Sequence, residues 1–329
     1  MARDRFGRVI DYLRISVVDH CNFRCIYCMP STAVPRLPKA ELLTAAEIEA
    51  VVRAAVRVGF RKFRLTGGEP TLRADLVEVV ERITSVPGVA DLSMTTNGVL
   101  LRGLARPLAA AGLRRVNVHL DSVTQSRLAA ISRHGRVDQI WAGIVAAEEA
   151  GLTPIKLNAV VVRGGNEDDV VPLAALTLDR PWHVRFIETM PVGAGEPAEV
   201  ARQRFVPSAE THAAIEAALG SLTQLPKSHP SEESLNYALP GAAGVVGFVS
   251  PVSKPYCHAC NRMRLTADGR LRLCLLHDDE IDLRGVLRAG GGEAEVSALV
   301  LAAVARKPMG HDLDAGRAPA GRSMLQIGG

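Results

Sequence analysis

Cys21-Asn-Phe-Arg-Cys25-Ile-Tyr-Cys28 places three cysteines within eight residues near the N-terminus, in the spacing C-x3-C-x2-C. Three thiolates at this spacing can hold one metal ion or one iron–sulfur cluster and leave its fourth position without a protein ligand. An open position on a metal centre is typical of catalytic sites rather than structural ones. The stretch therefore predicts a reactive metal centre close to the start of the chain.

Outward from this stretch, predicted strands alternate with predicted helices. A capping box, Thr44 with Glu47, marks the start of the first helix. Alternation of strands with helices along the chain is typical of a parallel sheet. Six strand–helix units ending near Glu188 fit an open, partial (β/α)6 TIM-like barrel better than a closed eightfold one. The predicted strands are 12–18, 62–66, 90–96, 114–120, 154–162 and 182–188, and the predicted helices are 44–58, 73–83, 103–111, 137–150 and 167–178.

The unusual residues of this region follow the predicted strands. In barrels of this type the reactive groups lie at the carboxyl ends of the strands. The cysteine run, Gly67-Gly68-Glu69-Pro70, Thr95-Thr96-Asn97-Gly98 and Leu120-Asp121 all occupy such positions. We therefore expect these segments to meet on one rim of the barrel.

Composition restricts the class of protein. The chain has 329 residues, 47% of them hydrophobic, and a net charge of +4. Its basic residues are spread along the chain, which argues against a nucleic-acid surface. The longest apolar run, 298–305, is too short to cross a membrane, and no apolar leader follows Met1. We expect a cytoplasmic protein, in which six cysteines favour clusters over disulfides.

The pattern changes after Met190, where Pro, Gly and Ser become frequent. We predict a helix at 208–219, a strand at 245–249, a hairpin of 262–266 and 270–274 around Asp268-Gly269, and a helix at 293–305 before a Gly-rich tail. A boundary near residue 230 separates a barrel core, 1–230, from a C-terminal α+β module, 231–329. That module carries a second set of three cysteines, Cys257-x2-Cys260-x13-Cys274.

Other metal sites fit the cysteines as well. His277 or His258 would complete a Cys3His zinc site with the second set, and His20 is the nearest fourth ligand for zinc at the first. A c-type haem is excluded because Met29, not histidine, follows Cys28. A non-catalytic metal-binding module thus stays an alternative to an enzyme.

Cations interrupt the apolar strands. Lys62, Arg64 and Thr66 share one face of their strand by the period of two, and Arg14, Lys156 and Arg185 interrupt other strands. Barrel interiors usually favour Val, Ile and Leu. Taken alone, each of these basic side chains could equally be solvated or part of a salt bridge. Taken together, they predict a positively charged lining that binds a small polyanion. No phosphate-binding P-loop sequence is present, so side chains would have to hold it.

The motifs resemble those of the radical S-adenosylmethionine (SAM) superfamily, in which C-x3-C-x-Tyr-C follows the first strand and Gly-Gly-Glu-Pro the second. Over essentially the whole length the chain is similar to one family, the GTP 3′,8-cyclases of molybdenum cofactor biosynthesis. The motifs that carry this closer resemblance are the two cysteine sets, Asp11-Tyr-Leu-Arg14, Arg64-Leu-Thr-Gly-Gly-Glu-Pro70, Arg262-Met-Arg264 and Gly328-Gly329.

This resemblance implies a lyase that converts GTP to 3′,8-cyclo-7,8-dihydro-GTP, an early step of molybdopterin synthesis. It implies two [4Fe–4S] clusters and SAM, whose 5′-deoxyadenosyl radical abstracts the ribose C3′ hydrogen, with no catalytic side chain. It further implies a flavodoxin- or ferredoxin-like electron donor, transfer of the product to cyclic pyranopterin monophosphate synthase, no nucleic-acid or membrane partner, and a homodimer as a candidate assembly. A peptide- or sulfatase-modifying radical SAM enzyme with an auxiliary cluster is the nearest alternative.

The resemblance also assigns residues to ligands by motif position. His119 stands where the family has serine in Val118-His-Leu-Asp121, and the terminal diglycine is expected to reach the active site. The first cluster is placed on Cys21, Cys25 and Cys28, with SAM on its open iron, and the second on Cys257, Cys260 and Cys274, with the purine on its open iron. SAM contacts are assigned to Tyr27, Gly68, His119 and Met190. GTP contacts are assigned to Arg14, Arg64, Thr95, Lys156, Arg262, Met263 and Arg264, with Lys62 and Arg185 as weaker candidates.

Overall fold

Twelve strands and eleven α-helices make up the part of the chain, residues 2–32 and 34–328, that the computed structural model describes. Gly329 of the predicted diglycine lies outside it. The strands are β1 (Tyr12–Ser16), β2 (Lys62–Thr66), β3 (Asp91–Thr96), β4 (Arg115–His119), β5 (Lys156–Val161), β6 (His183–Glu188), β7 (Thr223–Gln224), β8 (Leu235–Ala238), β9 (Val245–Val249), β10 (Arg262–Leu265), β11 (Arg270–Arg272) and β12 (Glu280–Asp282). The helices are α1 (Ala45–Val58), α2 (Leu76–Thr84), α3 (Leu101–Ala110), α4 (Gln125–Ser132), α5 (Val137–Glu149), α6 (Val170–Asp179), α7 (Glu196–Gln203), α8 (Ser208–Leu219), α9 (Arg284–Arg288), α10 (Glu293–Arg306) and α11 (Met324–Ile327).

The first six strands form a parallel sheet in the order of the sequence, which confirms the open (β/α)6 prediction. Both edges of this sheet are extended by strands from the C-terminal region. β10 pairs in parallel with β1, and β9 pairs in parallel with β6. The division near residue 230 stays a prediction, but hydrogen bonding in the sheet is continuous across it.

The two faces of the sheet differ in chemistry. Leu13, Ile15, Phe63 and Leu65 point to the outer face and are fully buried in the main core with the helices. The alternate residues form a polar inner face. There Arg14 lies opposite Arg64 on one side and Arg264 on the other, so the period of two that buries one side of each strand also lines the barrel interior with cations.

The chain departs from the sequence-based prediction in a few segments. Three short helices, α4, α7 and α9, and three short strands, β7, β8 and β12, were not predicted, and the tail forms α11 where irregular chain was expected. α4 is only weakly amphipathic, and Gly195 and Pro197 border the start of α7, so neither has a clear periodic signal. β1 ends at Ser16, earlier than predicted, because residues 17–20 turn toward the second strand's loop.

The predicted capping box at the start of α1 is present. Thr44 Oγ1 accepts a hydrogen bond from the Glu47 amide at 3.2 Å, and Glu47 accepts one from the Thr44 amide at 2.8 Å, which completes the capping box. Within the described ranges of the chain, no helix has the length and apolar character needed to span a membrane.

Candidate active site

One cavity of about 300 Å³ lies at the carboxyl ends of the strands and is lined by both cysteine sets. The parallel arrangement brings the loops after successive strands to the same rim, as predicted. Cys21, Cys25 and Cys28 approach the cavity from the loop after β1, and Cys257, Cys260 and Cys274 approach it from the C-terminal region. All six cysteines are free thiols.

The loop that carries the first cysteine set is fastened to the Gly-Gly-Glu-Pro segment. The amide of Gly68 donates to Val18 O at 3.0 Å, and the amide of Glu69 donates to His20 O at 2.9 Å. A Cβ on Gly68 would overlap the His20 carbonyl oxygen. Glycine is therefore required here for close packing of two loops, besides the contact with SAM that the resemblance implies.

Glu69 in turn organises the next loop. Its buried carboxylate accepts hydrogen bonds from Thr71 Oγ1, from Thr96 Oγ1 at 2.6 Å and from the Asn97 amide at 2.6 Å. Asn97 Nδ2 then donates to Asn22 Oδ1 at 2.6 Å, which ties the third loop to the cysteine run. Burial raises the pKa of Glu69, although these donors oppose the shift.

The first three thiols form a site suited to a metal cluster. Burial, followed by nearby negative charge, raises the pKa of Cys21 to about 12 and that of Cys28 well above its usual value, and Cys25 contributes to both shifts. Such thiols ionise readily only when a metal or another cation compensates the thiolate charge. Three sulfur donors that line one open cavity fit an iron–sulfur cluster with one free coordination position.

Tyr27 and His119, both predicted to contact SAM, form a hydrogen-bonded group with Asp121. Tyr27 Oη donates to Asp121 Oδ2 at 2.7 Å and lies 2.7 Å from His119 Nε2, which is 2.8 Å from the same carboxylate. Burial would lower the pKa of His119, but Asp121 outweighs it and raises the pKa well above the usual value. Both side chains line the cavity, so their assignment to SAM stays a prediction that the geometry allows.

The second cysteine set is held by two basic residues that the sequence did not single out. Arg8 donates to the carbonyl of Cys257 at 2.6 Å and pairs with Asp4 at 2.7 Å. Lys307 is fully buried and donates to Leu273 O at 2.6 Å. Burial favours the neutral thiol of Cys260, but Lys307 and Arg262 outweigh it and lower its pKa to about 7. This environment favours a thiolate and fits a negatively charged cluster.

Two of the three histidines considered as zinc ligands, His20 and His277, have a ring nitrogen engaged elsewhere, whereas zinc ligation by His258 stays a prediction. His20 Nδ1 lies 3.3 Å from Asp19 Oδ1, and His277 Nε2 lies 2.9 Å from Gly310 O. Cys25 also has His119 and Asp121 near it, with ligand atoms of the three within 4.8 Å of one another. That imidazole and carboxylate are hydrogen-bonded to each other and to Tyr27, so they are committed to the group described above.

Five arginines line the cavity between the two cysteine sets. Glu233 is the acidic side chain at their centre. Its carboxylate lies 2.7 Å from Arg14 Nη2, 2.5 Å from Arg262 Nη1 and 3.7 Å from Arg64 Nη1. We call the five the arginine cluster: Arg14, Arg64, Arg185, Arg262 and Arg264.

The arginine cluster carries more positive charge than Glu233 can neutralise. Burial, followed by the neighbouring guanidinium groups, lowers the pKa of Arg185 to about 10 and that of Arg264 to about 9. Within the described residues, Arg14 Nε, Arg185 Nε and Arg262 Nη2 are buried without a hydrogen-bond partner. Buried donors without partners are costly, so the cluster is suited to bind an anion with several acceptor oxygens.

The remaining predicted ligands are distributed unevenly. Thr95 and Met190 line the cavity, and so does Met263, although the Met263 side chain is buried in the main core and leaves its backbone to face a ligand. Lys156 is not among the lining residues and lies beside Arg185 and Arg64. Lys62 is directed elsewhere, with its Nζ 3.8 Å from Asp11 Oδ2.

The C-terminal tail reaches the cavity. Leu325 is a lining residue, and Arg264 donates a hydrogen bond to the carbonyl oxygen of Gly328. A Cβ on Gly328 would overlap Thr66 Oγ1 and lie 3.0 Å from Ser16 Cβ. Glycine at this position therefore lets the tail approach the loop region of β1 and β2.

Sequence reasoning missed Glu233, Arg8 and Lys307. Glu233 lies in a polar, Pro- and Ser-rich segment that resembles an exposed loop, and Lys307 follows a helix whose charged end is normally solvated. Their roles depend on contacts with residues far away in the chain. A weak signal for Lys307 was available in the Pro-Met-Gly that follows it, because a helix that stops there must turn back.

An open parallel barrel with a C-x3-C-x2-C loop on its rim defines the radical SAM class, whose cofactors are SAM and an iron–sulfur cluster. The model of the radical SAM superfamily matches residues 15–177, and the model described as Molybdenum Cofactor Synthesis C matches residues 182–313. A solved structure of SuiB from Streptococcus suis bound to S-adenosylmethionine shares the fold, with a TM-score of 0.62 at 12% identity over 85% of this chain and 65% of that one.

The chain belongs to the GTP 3′,8-cyclase family. It is 49% identical to the GTP 3′,8-cyclase of Pelotomaculum thermopropionicum, over 99% of this chain and 100% of the relative. It is 44% identical to that of Moorella thermoacetica over the same shares. Because these relatives match over their full lengths, the likeness covers the barrel, the second cysteine set and the tail together.

Proposed function

We propose that this chain binds GTP between two [4Fe–4S] clusters and converts it to 3′,8-cyclo-7,8-dihydro-GTP. The observation that carries the proposal is the single cavity shared by two three-cysteine sets and the arginine cluster. GTP is the substrate named in the full-length relatives. GTP has both a triphosphate, which the arginine cluster can bind, and a purine, which can bind the second metal centre.

The cofactors and the protein divide the work. When bound, the first cluster and SAM supply a 5′-deoxyadenosyl radical able to take a hydrogen atom from carbon. Cys21, Cys25 and Cys28 would hold that cluster, and Cys257, Cys260 and Cys274 the second. The protein's own residues bind and orient: the arginine cluster grips the triphosphate, and the barrel walls and tail exclude water.

The finer assignments belong to the same proposal. SAM would contact Tyr27, Gly68, His119 and Met190. GTP would contact the arginine cluster, Thr95, Lys156 and the backbone of Met263. A flavodoxin- or ferredoxin-like donor in the cytoplasm would supply the electron, and the product would pass to cyclic pyranopterin monophosphate synthase. A peptide substrate is less suited to this cavity, because buried guanidinium groups favour a compact polyanion over an amide backbone.

Anaerobic reconstitution followed by incubation with reductant, SAM and GTP tests the proposal. We expect about eight iron atoms per chain, loss of GTP and formation of 5′-deoxyadenosine. The matched controls are Cys21→Ala and Cys257→Ala, which should each retain about four iron atoms and lose turnover. Zinc without iron, or iron without any consumption of GTP, would contradict the assignment.

A further inference from the structure

Glu233 occupies the place where the proposed function requires an anionic ligand. Its carboxylate contacts Arg14, Arg64 and Arg262, all predicted to bind GTP, and its side chain is only 15% exposed. Burial would raise the pKa of Glu233, but these arginines outweigh it and hold the pKa well below the usual range. The carboxylate is therefore charged and serves as a counter-ion of the arginine cluster.

A triphosphate and this carboxylate compete for the same donors. Arg14 Nη2 is within hydrogen-bond distance of both carboxylate oxygens, at 2.7 and 3.0 Å. Phosphate oxygens that bind the same guanidinium group would lie close to the carboxylate, and like charges repel strongly in a buried site. The two anions cannot share these arginines, so one must leave.

The segment that carries Glu233 is a partly exposed connection at the edge of the sheet. Residues 226–230 are exposed, and the segment joins β7 to β8 at an outer edge of the sheet. Its neighbour Glu232 accepts hydrogen bonds from Ser228 at 3.0 Å and from Asn236 at 2.7 Å, so these bonds tie the segment to itself and to β8. Local opening of this segment loses the ion pairs of Glu233, which the phosphates replace, and the burial of Ser234, whereas residues 226–230 are already exposed.

We propose that Glu233 is an intramolecular occupant of the triphosphate site, which the incoming nucleotide displaces as segment 226–234 swings away from the arginine cluster. The inference rests on the proposed function for the identity of the nucleotide. The displacement makes the site selective for charged ligands. A ligand binds there only if its phosphates replace the ion pairs that Glu233 forms with Arg14, Arg64 and Arg262. An uncharged guanosine gains nothing from the exchange.

Binding of inorganic tripolyphosphate and of guanosine to the reconstituted full-length protein tests this by calorimetry. Glu233→Gln keeps the size of the side chain and removes its charge, so tripolyphosphate should bind about tenfold more tightly, while guanosine binds as before. Glu149→Gln makes the same change of net charge at an exposed position on α5 and should leave both affinities within about twofold. Unchanged or weaker tripolyphosphate binding by Glu233→Gln, or equal tightening in both variants, would overturn the proposal.

A second measurement needs no variant. Amide hydrogen exchange of the unmodified protein should become faster in residues 226–234 when tripolyphosphate is added, and unchanged or slower exchange there overturns the displacement. The two proposals also fail separately. Displacement by tripolyphosphate without any GTP turnover would leave the role of Glu233 standing and remove the cyclase function, whereas turnover without displacement would do the reverse.

Discussion

Arg262 and Arg264 lie on the same face of β10, yet they have different partners. Arg262 pairs with Glu233, and Arg264 donates to the Gly328 carbonyl. Because Arg262 also lowers the pKa of Cys260, it links the anion site to the second metal centre. Two alternate residues of β10 thus contact Glu233, the second cysteine set and the C-terminal tail.

Arg262→Ala or Arg264→Ala should reduce GTP turnover by about a hundredfold while the iron content stays unchanged, because each change removes a buried charge from the anion site. Turnover by mass spectrometry and iron analysis on the same samples check this. Arg270→Ala is the matched control, since Arg270 lies on the neighbouring β11 and pairs with Asp282 at 2.9 Å. Full turnover by the β10 variants would contradict their role.

Lys156 predicts a pH dependence of nucleotide binding. Burial, followed by repulsion from Arg185, lowers its pKa to about 8, so the free protein loses this charge as the pH rises through that value. A bound polyanion favours the protonated form, so binding should take up a proton and weaken above about pH 8. Calorimetry of GTP binding between pH 7 and 9 in buffers of different ionisation enthalpy measures both effects.

The control for this prediction is Lys156→Met, in which the proton uptake should disappear and the affinity should be lower at pH 7. Lys62→Met serves as a second control, because Lys62 lies toward Asp11 rather than the cavity. An affinity that does not change with pH in the unmodified protein would place Lys156 outside the nucleotide site.

At the scale of elements, loops position the first cysteine set, whereas strands carry the five residues of the arginine cluster. The cysteine loop, the Gly-Gly-Glu-Pro loop and the loop after β3 are joined by backbone bonds at His20 O and by the Asn97–Asn22 contact. α11 closes the same region from the other end of the chain. Arg322 anchors that tail through ion pairs to Asp268 at 2.8 Å and to Glu280 at 2.7 Å.

Deletion of Gly328 and Gly329 should lower turnover about ten- to hundredfold, because Arg264 loses its carbonyl acceptor. The melting temperature should change little, because Arg322 and the buried side chains of Leu325 and Ile327 still fasten the tail. Kinetics and thermal unfolding of the truncated chain, with iron content as the control, test this. Unchanged kinetics would show that the end of the tail has no part in catalysis.

At the scale of the whole molecule, the C-terminal region completes the barrel at both edges. β10 covers the edge of β1 over four residue pairs, and β9 covers β6 over five. An uncovered parallel edge strand exposes backbone donors and acceptors and favours aggregation. The barrel core and the C-terminal module therefore share one continuous hydrogen-bonded sheet.

A fragment of residues 1–230 should consequently fail to fold as a stable monomer, because it would expose β1 and β6 and lose the covering strands. Size-exclusion chromatography and thermal unfolding by circular dichroism compare it with the full chain. A soluble monomeric fragment with a cooperative transition would instead support an independent domain that ends near residue 230.

The sequence by itself determined the parallel barrel, both cysteine sets and the cationic inner face, because these depend on local patterns: spacing within a loop, alternation along a strand and periodicity along a helix. Only the tertiary structure decided that β10 and β9 flank the barrel, that Lys62 turns away from the cavity and that Glu233 enters the arginine cluster. These outcomes depend on pairings between residues up to about 250 positions apart, as between Asp11 and Asn261. Local sequence carries no signal for such contacts, since burial and charge balance arise only when distant segments fold together.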